Sequence, residues 1–200
     1  MKTILFLFVL FSSSLVNASV VGVTTHPLNE GARVFSAEMT GYMNLRHEMG
    51  GGLRYTQEMK RNQLLDVTVA GAQESRAFTA GTGMDIAFLE EDVNQPRVSI
   101  KPYFQYQKFN DTSDNFFGAA PTIRKGFVVN DHEFFPYLAI PSGMKVNNDS
   151  SAFNFYSSLT LGASMPFPGQ DRNLLLSFEG NKNMGSSSDY IGCLVSWIWK

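Results

Sequence analysis

Three histidines, one cysteine and a few acidic clusters are the residues of this 200-residue chain whose types could support acid–base, nucleophilic or metal chemistry. His47-Glu48 and His132-Glu133 are adjacent pairs, and neighbouring side chains on a strand point to opposite faces, so neither forms a dyad. His26 stands apart in the N-terminal segment. A serine activated by His47 would make a lipid acyl hydrolase, a minor alternative that rests on one residue. The three histidines are isolated and show no zinc spacing. Asp111, Asp114 and Asn115 could hold a hard cation, but a solvated acidic loop explains them as well. Asn110-Asp111-Thr112 and Asn148-Asp149-Ser150 match the glycosylation acceptor pattern and read as polar loop. Cys193 excludes an internal disulfide framework and behaves as a small hydrophobe. The expectation is a protein that is not an enzyme and has no catalytic residues, metal or cofactor.

The elements that carry these residues have a marked composition. Charged residues make up 17% of the chain and hydrophobic ones 44%, with 17 Phe and a net charge of -2. The aromatic content argues against disorder. No run approaches the roughly twenty apolar residues of a membrane helix. No basic block exists to neutralise phosphates, so nucleic acid is not an expected partner. Residues 1–18 have the layout of a secretory signal peptide: Lys2, the apolar stretch Ile4 to Phe11, a Ser cluster, and Val16-Asn17-Ala18 at the cut. A single domain is expected over 19–200.

The mature chain is written in period two, the signature of strands with one dry face and one wet face. In the clearest run Phe153, Phe155, Leu159, Leu161, Ala163, Met165 and Phe167 alternate with Asn154, Tyr156, Ser158, Thr160, Gly162 and Ser164. Similar runs surround Phe35 to Met43, Leu53 to Tyr55, Leu65 to Val69, Phe78 to Phe88, Val98 to Tyr106, Leu174 to Phe178 and Ile191 to Trp199. Ile123 to Val129 and Phe134 to Ile140 alternate less cleanly. The count is ten strands, or eight if two weak runs are loop. Turn-forming residues separate them, and Asn110 to Gly118 is the longest intervening loop.

Period two also fits a soluble sandwich, so other features must decide. The apolar faces run almost end to end. The opposite face carries Glu38, Arg54, Glu58, Asp66, Asp85, Lys101, Arg124 and Glu179, charges too costly for a dry core unless paired or hydrated. Phe153, Phe167, Tyr190, Trp197 and Trp199 gather at run ends like interfacial girdles. The predicted fold is an all-β, antiparallel up-and-down transmembrane barrel with this polar network in its lumen. Small inner residues, Gly81, Gly83, Gly126 and Gly162, suggest a narrow pore.

The signal peptide, the alternating runs and a last strand ending Trp197-Ile198-Trp199 together resemble the small outer-membrane β-barrels of Gram-negative bacteria, the OmpA and OmpX type in architecture. The chain departs from that pattern by ending in Lys200. The resemblance implies export to the outer membrane, a surround of outer-membrane lipid, and a C-terminal strand read by the barrel assembly machinery through Gly192, Val195, Trp197 and Trp199. It further implies a structural or surface-interaction role with at most a narrow pore. Phe116 and Phe117 are the candidate outer-loop contacts for an unknown surface ligand. The alternative is a soluble periplasmic or secreted β-barrel or sandwich that binds a small hydrophobic ligand.

Overall fold

The computed structural model describes residues 27–28, 30–42, 49–71, 77–129, 132–167, 173–184 and 189–199. The signal peptide expected over 1–18, His26, His47 and Lys200 lie outside them. Twelve strands form along the chain: β1 (Arg33–Tyr42), β2 (Met49–Lys60), β3 (Gln63–Gly71), β4 (Phe78–Leu89), β5 (Arg97–Phe109), β6 (Thr112–Arg124), β7 (Phe127–Val129), β8 (His132–Ala139), β9 (Ser142–Asn147), β10 (Phe153–Pro166), β11 (Leu174–Asn183) and β12 (Tyr190–Trp199). They build ten staves. β8 and β9 are one stave interrupted at Ile140-Pro141, because both pair with β6 on one side and β10 on the other in continuous register. β7 pairs with β8 alone and leaves the wall. Every neighbouring pair is antiparallel, and β12 closes on β1 from Arg33↔Trp199 to Tyr42↔Tyr190.

Register sets the shape. Pairing leads from Pro166 through Leu175, Ser196, Ser36, Arg54, Thr68, Gly81, Gln105, Phe116 and Lys145 to Asn154, on the starting strand but twelve residues away. Ten staves with that stagger tilt by roughly 40° and enclose a Cα cylinder of about 10 Å radius.

The barrel is apolar outside and polar inside, the reverse of a soluble protein. Outward positions such as Phe35, Val67, Val69, Leu161 and Trp197 are exposed, while Arg54, Asp66, Lys101, Thr68, Thr79 and Thr160 are buried inward. A lipid belt accounts for this inversion, since it favours apolar contact and the closed wall leaves no unpaired edge within it. Tyr55, Trp197 and Trp199 cluster toward the end where β1 begins and β12 finishes, with ring centroids 6.2–6.3 Å apart for Tyr55–Trp199 and Trp197–Trp199. Tyr190, expected in a girdle, instead points inward and is buried, because it has the parity of Gly192 and Leu194.

One stretch departs from the sequence expectation. Asn110 to Gly118 is not a loop: Asn110 and Asp111 make a tight turn, and β6 begins at Thr112. Asn110 takes a positive φ of 51° there, a conformation Asn tolerates. The strand was hidden because Asp114, Phe116 and Gly118 face inward while Asn115, Phe117 and Ala119 face outward, so neither face is uniformly apolar. Pairing with the long β5, rather than local pattern, makes this segment a strand. Ser142–Asn147 is strand for the same reason.

Candidate functional site in the barrel lumen

The eight charged residues expected inside, Glu38, Arg54, Glu58, Asp66, Asp85, Lys101, Arg124 and Glu179, are all buried and inward-facing. They fall into layers. At about 2.5 Å of axial rise per residue and about 3 Å per stave, the Cα atoms of Glu38, Arg54, Asp66, Lys101 and Glu179 lie within roughly 4 Å of one height. Arg54 Nη2 donates to Glu38 Oε2 at 2.9 Å, and Arg54 Nε donates to Thr68 at 3.2 Å. Lys101 Nζ lies 2.6 Å from Asp66 Oδ2. Glu179 accepts from the Tyr190 hydroxyl at 2.5 Å and from the Tyr137 hydroxyl.

These groups sense each other across the lumen. Glu38 interacts electrostatically with Arg54, Glu179, Lys101 and Asp66, and Arg54 with Tyr137 on the opposite wall. The ring draws on β1, β2, β3, β5, β8, β11 and β12, seven elements on seven of the ten staves. With Arg54 2% exposed and Lys101 equally buried, the ring narrows the lumen at this height.

Glycines make the long reaches possible. Tyr137 lies over Gly162, where an added Cβ would collide with its ring, and so reaches Glu179 two staves away. Lys101 crosses Gly83 in the same way to reach Asp66, with its Cε 2.6 Å from where a Cβ would stand. Tyr103 and Tyr156 bond hydroxyl to hydroxyl, each lying 2.7 Å from a Cβ position on Gly118. Lys101, Phe135 and Tyr137 cover Gly83, Gly126 and Gly162. The cause is steric, since an inner glycine beside long neighbours receives their side chains.

Two further layers flank the ring. Toward the start of β1, Arg97 Nη1 approaches Asp85 Oδ2 at 2.7 Å and Arg124 Nε approaches Glu91 Oε2 at 3.3 Å. Glu58 is buried beside them and accepts from the Asn62 backbone. Lys125 Nζ caps the carbonyls of Asp92 (2.5 Å), Val93 (2.9 Å) and Gln95 (3.3 Å), tying the β4–β5 connection to the base of β7. Outside the wall, Arg61 and Asn62 both donate to Glu90, at 2.8 and 2.5 Å. The Asn62 and Arg61 hydrogen bonds hold the Glu90 carboxyl below its ordinary range. At the opposite mouth Lys145 pairs with Asp114 at 2.8 Å and Lys182 with Asp189 at 2.5 Å.

Phe116 and Phe117 lie on β6 rather than in a loop. Phe116 faces the lumen, edge-on to Tyr156 at 5.4 Å and beneath Lys145 Nζ at 5.6 Å. Phe117 faces outward and packs on Phe104 at 5.0 Å. Gly192 is buried between Thr40 and Glu179 on the paired rung, while Trp197 is 62% exposed on the belt. His132 stands exposed at the start of β8, Asp111 is exposed in the β5–β6 turn, and Asn115 donates to Asn148 Oδ1 at 2.7 Å. Sequence reasoning left Tyr103, Tyr137, Tyr156, Arg97 and Glu91 out of the lumen network and set Tyr190 in the girdle. Parity alone placed Tyr103, Tyr137 and Tyr156 inward, and a glycine at the facing position of the next strand marks where such a ring can lie.

No protein-family model matches the chain, and no curated protein matches its sequence. Among solved structures it is similar to the COG4313 outer membrane channel from Pseudomonas putida F1, at 10% identity and a TM-score of 0.52, over 90% of this chain and 100% of that one. The KdgM porin aligns over 84% of this chain and 99% of its own at 11% identity, with a TM-score of 0.43. Ail, the attachment invasion locus protein of Yersinia pestis, aligns over 86% and 100% at 15% identity, with a TM-score of 0.32. The first likeness bears on the fold and on nothing finer. The chain has the fold of an outer-membrane β-barrel, a closed antiparallel wall of ten staves with an apolar exterior and a charged interior.

Proposed function

We propose that the protein is a non-enzymatic barrel of the Gram-negative outer membrane, exported by residues 1–18, with a structural or surface-interaction role and a lumen that admits nothing larger than small ions. The observation that carries the reading is the ring of Glu38, Arg54, Asp66, Lys101 and Glu179, buttressed by Tyr137 and Tyr190, whose side chains reach across the lumen at mid-height. Ion pairs and phenols that satisfy one another suit a polar core better than a wide conduit. A channel role, the activity named for the Pseudomonas putida neighbour, would have to run through this ring. The charged interior also disfavours the soluble alternative, since an apolar ligand would bury these groups without partners.

Outer-membrane lipid is the partner of the exposed belt. The assembly machinery is the proposed reader of β12 through Val195, Trp197 and Trp199, with Gly192 on its inner face. Membrane extraction followed by gel mobility in SDS before and after boiling tests the architecture, together with uptake of small sugars into vesicles loaded with the protein. A heat-dependent shift confined to the outer-membrane fraction, without sugar uptake, is expected. Recovery in the soluble periplasm, or rapid sugar entry, would refute the reading.

A further inference from the structure

We infer that the mid-lumen ring selects for small cations, with Glu179 as the residue that sets the preference. The inference rests on the restricted lumen proposed above and deepens it. Three carboxylates in the ring, Glu38, Asp66 and Glu179, face two cations, Arg54 and Lys101. Arg54 engages Glu38 and Lys101 engages Asp66, whereas the two oxygens of Glu179 accept from phenols. Phenols stabilise a carboxylate without cancelling its charge.

With all five groups ionised, the ring carries one negative charge in excess. Counted the same way, Glu58, Asp85 and Glu91 outnumber Arg97 and Arg124 by one in the layer toward the start of β1. The two ion pairs at the mouth, Lys145 with Asp114 and Lys182 with Asp189, cancel. The surplus among these lumen groups lies in the two inner layers.

A second observation points the same way. Asp66 Oδ1 is buried and accepts no hydrogen bond among the described residues, while its Oδ2 holds Lys101. A small cation entering the ring finds that oxygen and the surplus charge together. Chloride finds neither, and low-dielectric walls focus the field it must oppose.

Planar-bilayer recordings of the purified barrel under a KCl gradient test this. Small current steps with a reversal potential of potassium sign are expected. In Glu179→Gln the potassium-to-chloride permeability ratio should fall at least a few-fold, since focused charge changes local ion concentrations by about tenfold or more. Gln retains an acceptor for one phenol and offers a donor to the other, so the ring keeps its packing. Tyr137→Ala widens the passage and should give larger steps of the same sign. Where wild-type steps are too small to read, Tyr137→Ala with and without Glu179→Gln supplies the comparison. A reversal potential near zero or of chloride sign overturns the inference, as does one that Glu179→Gln leaves unmoved, or silence from both wild type and Tyr137→Ala. Step size reports on the restricted lumen and reversal potential on the ring's charge, so the two readings fail separately.

Discussion

The Tyr137 hydroxyl donates to the Glu179 carboxylate across Gly162, which stands on the intervening strand and faces both residues in register. Gly162→Ala places a methyl group against the Tyr137 ring. Such overpacking costs about 1–3 kcal/mol. Urea unfolding in lipid vesicles should show that loss in the single variant and little of it in a Tyr137→Ala background. An equal cost in both backgrounds would mean that the contact is not the cause.

Arg54 and Glu38 depend on each other because both are buried. Arg54→Met leaves the Glu38 carboxylate without its guanidinium, a change that costs about 3–5 kcal/mol. Arg54→Met combined with Glu38→Gln removes both charges and should recover most of that loss. The same unfolding assay reads both, and a double variant no better than the single one would argue against the pairing.

The belt can be tested by depth. Leu161 is exposed near mid-height on β10, and Arg there should cost about 2–4 kcal/mol of folding free energy into vesicles. Val128, on the hairpin that leaves the wall, is exposed at the end where β1 begins. Val128→Arg should cost about 0–1 kcal/mol, the interfacial value. Equal costs would contradict the assignment of the outer face to lipid.

The clasp of Arg61, Asn62 and Glu90 should respond to acid. The Glu90 carboxyl is held below its ordinary range, so its contribution is present above the unfolded-state value, about 4.3, and is lost as pH falls through the lower folded value. Hydrogen exchange at the β2–β3 turn should therefore quicken only at strongly acid pH. Glu90→Gln should weaken that pH dependence, leaving the barrel's heat-modifiability intact because the clasp is exposed.

Assembly offers a test in cells. Trp197→Ser with Trp199→Ser strips the aromatic end of β12 while its backbone pairing with β1 and β11 is retained. Outer-membrane yield should fall several-fold, while the purified variant still folds in detergent. Unchanged yield would remove the proposed role of β12 as the assembly signal.

Much of the fold was legible because side-chain direction alternates strictly along a strand. Parity placed Glu38, Arg54, Asp66, Lys101 and Glu179 on one face and Phe35, Val67, Leu161 and Trp197 on the other, as the barrel has them. Parity failed to reveal β6, where Asn110, Asp111, Ser113 and Asp114 read as loop although Ser113 and Asp114 pair with β5 and only Asn110 and Asp111 form the turn. It also gave no sign that β7 would leave the wall after Lys125-Gly126.

The sequence by itself determined which side chains face inward, because pleating is local and needs no partner. Only the tertiary structure decided which of them meet. Tyr137 reaches Glu179, Lys101 reaches Asp66 and Tyr103 reaches Tyr156 through a stagger that accumulates over ten pairings. A slip of two residues in any one pairing would preserve every face and change these partners, since register moves a side chain along the barrel without turning it over.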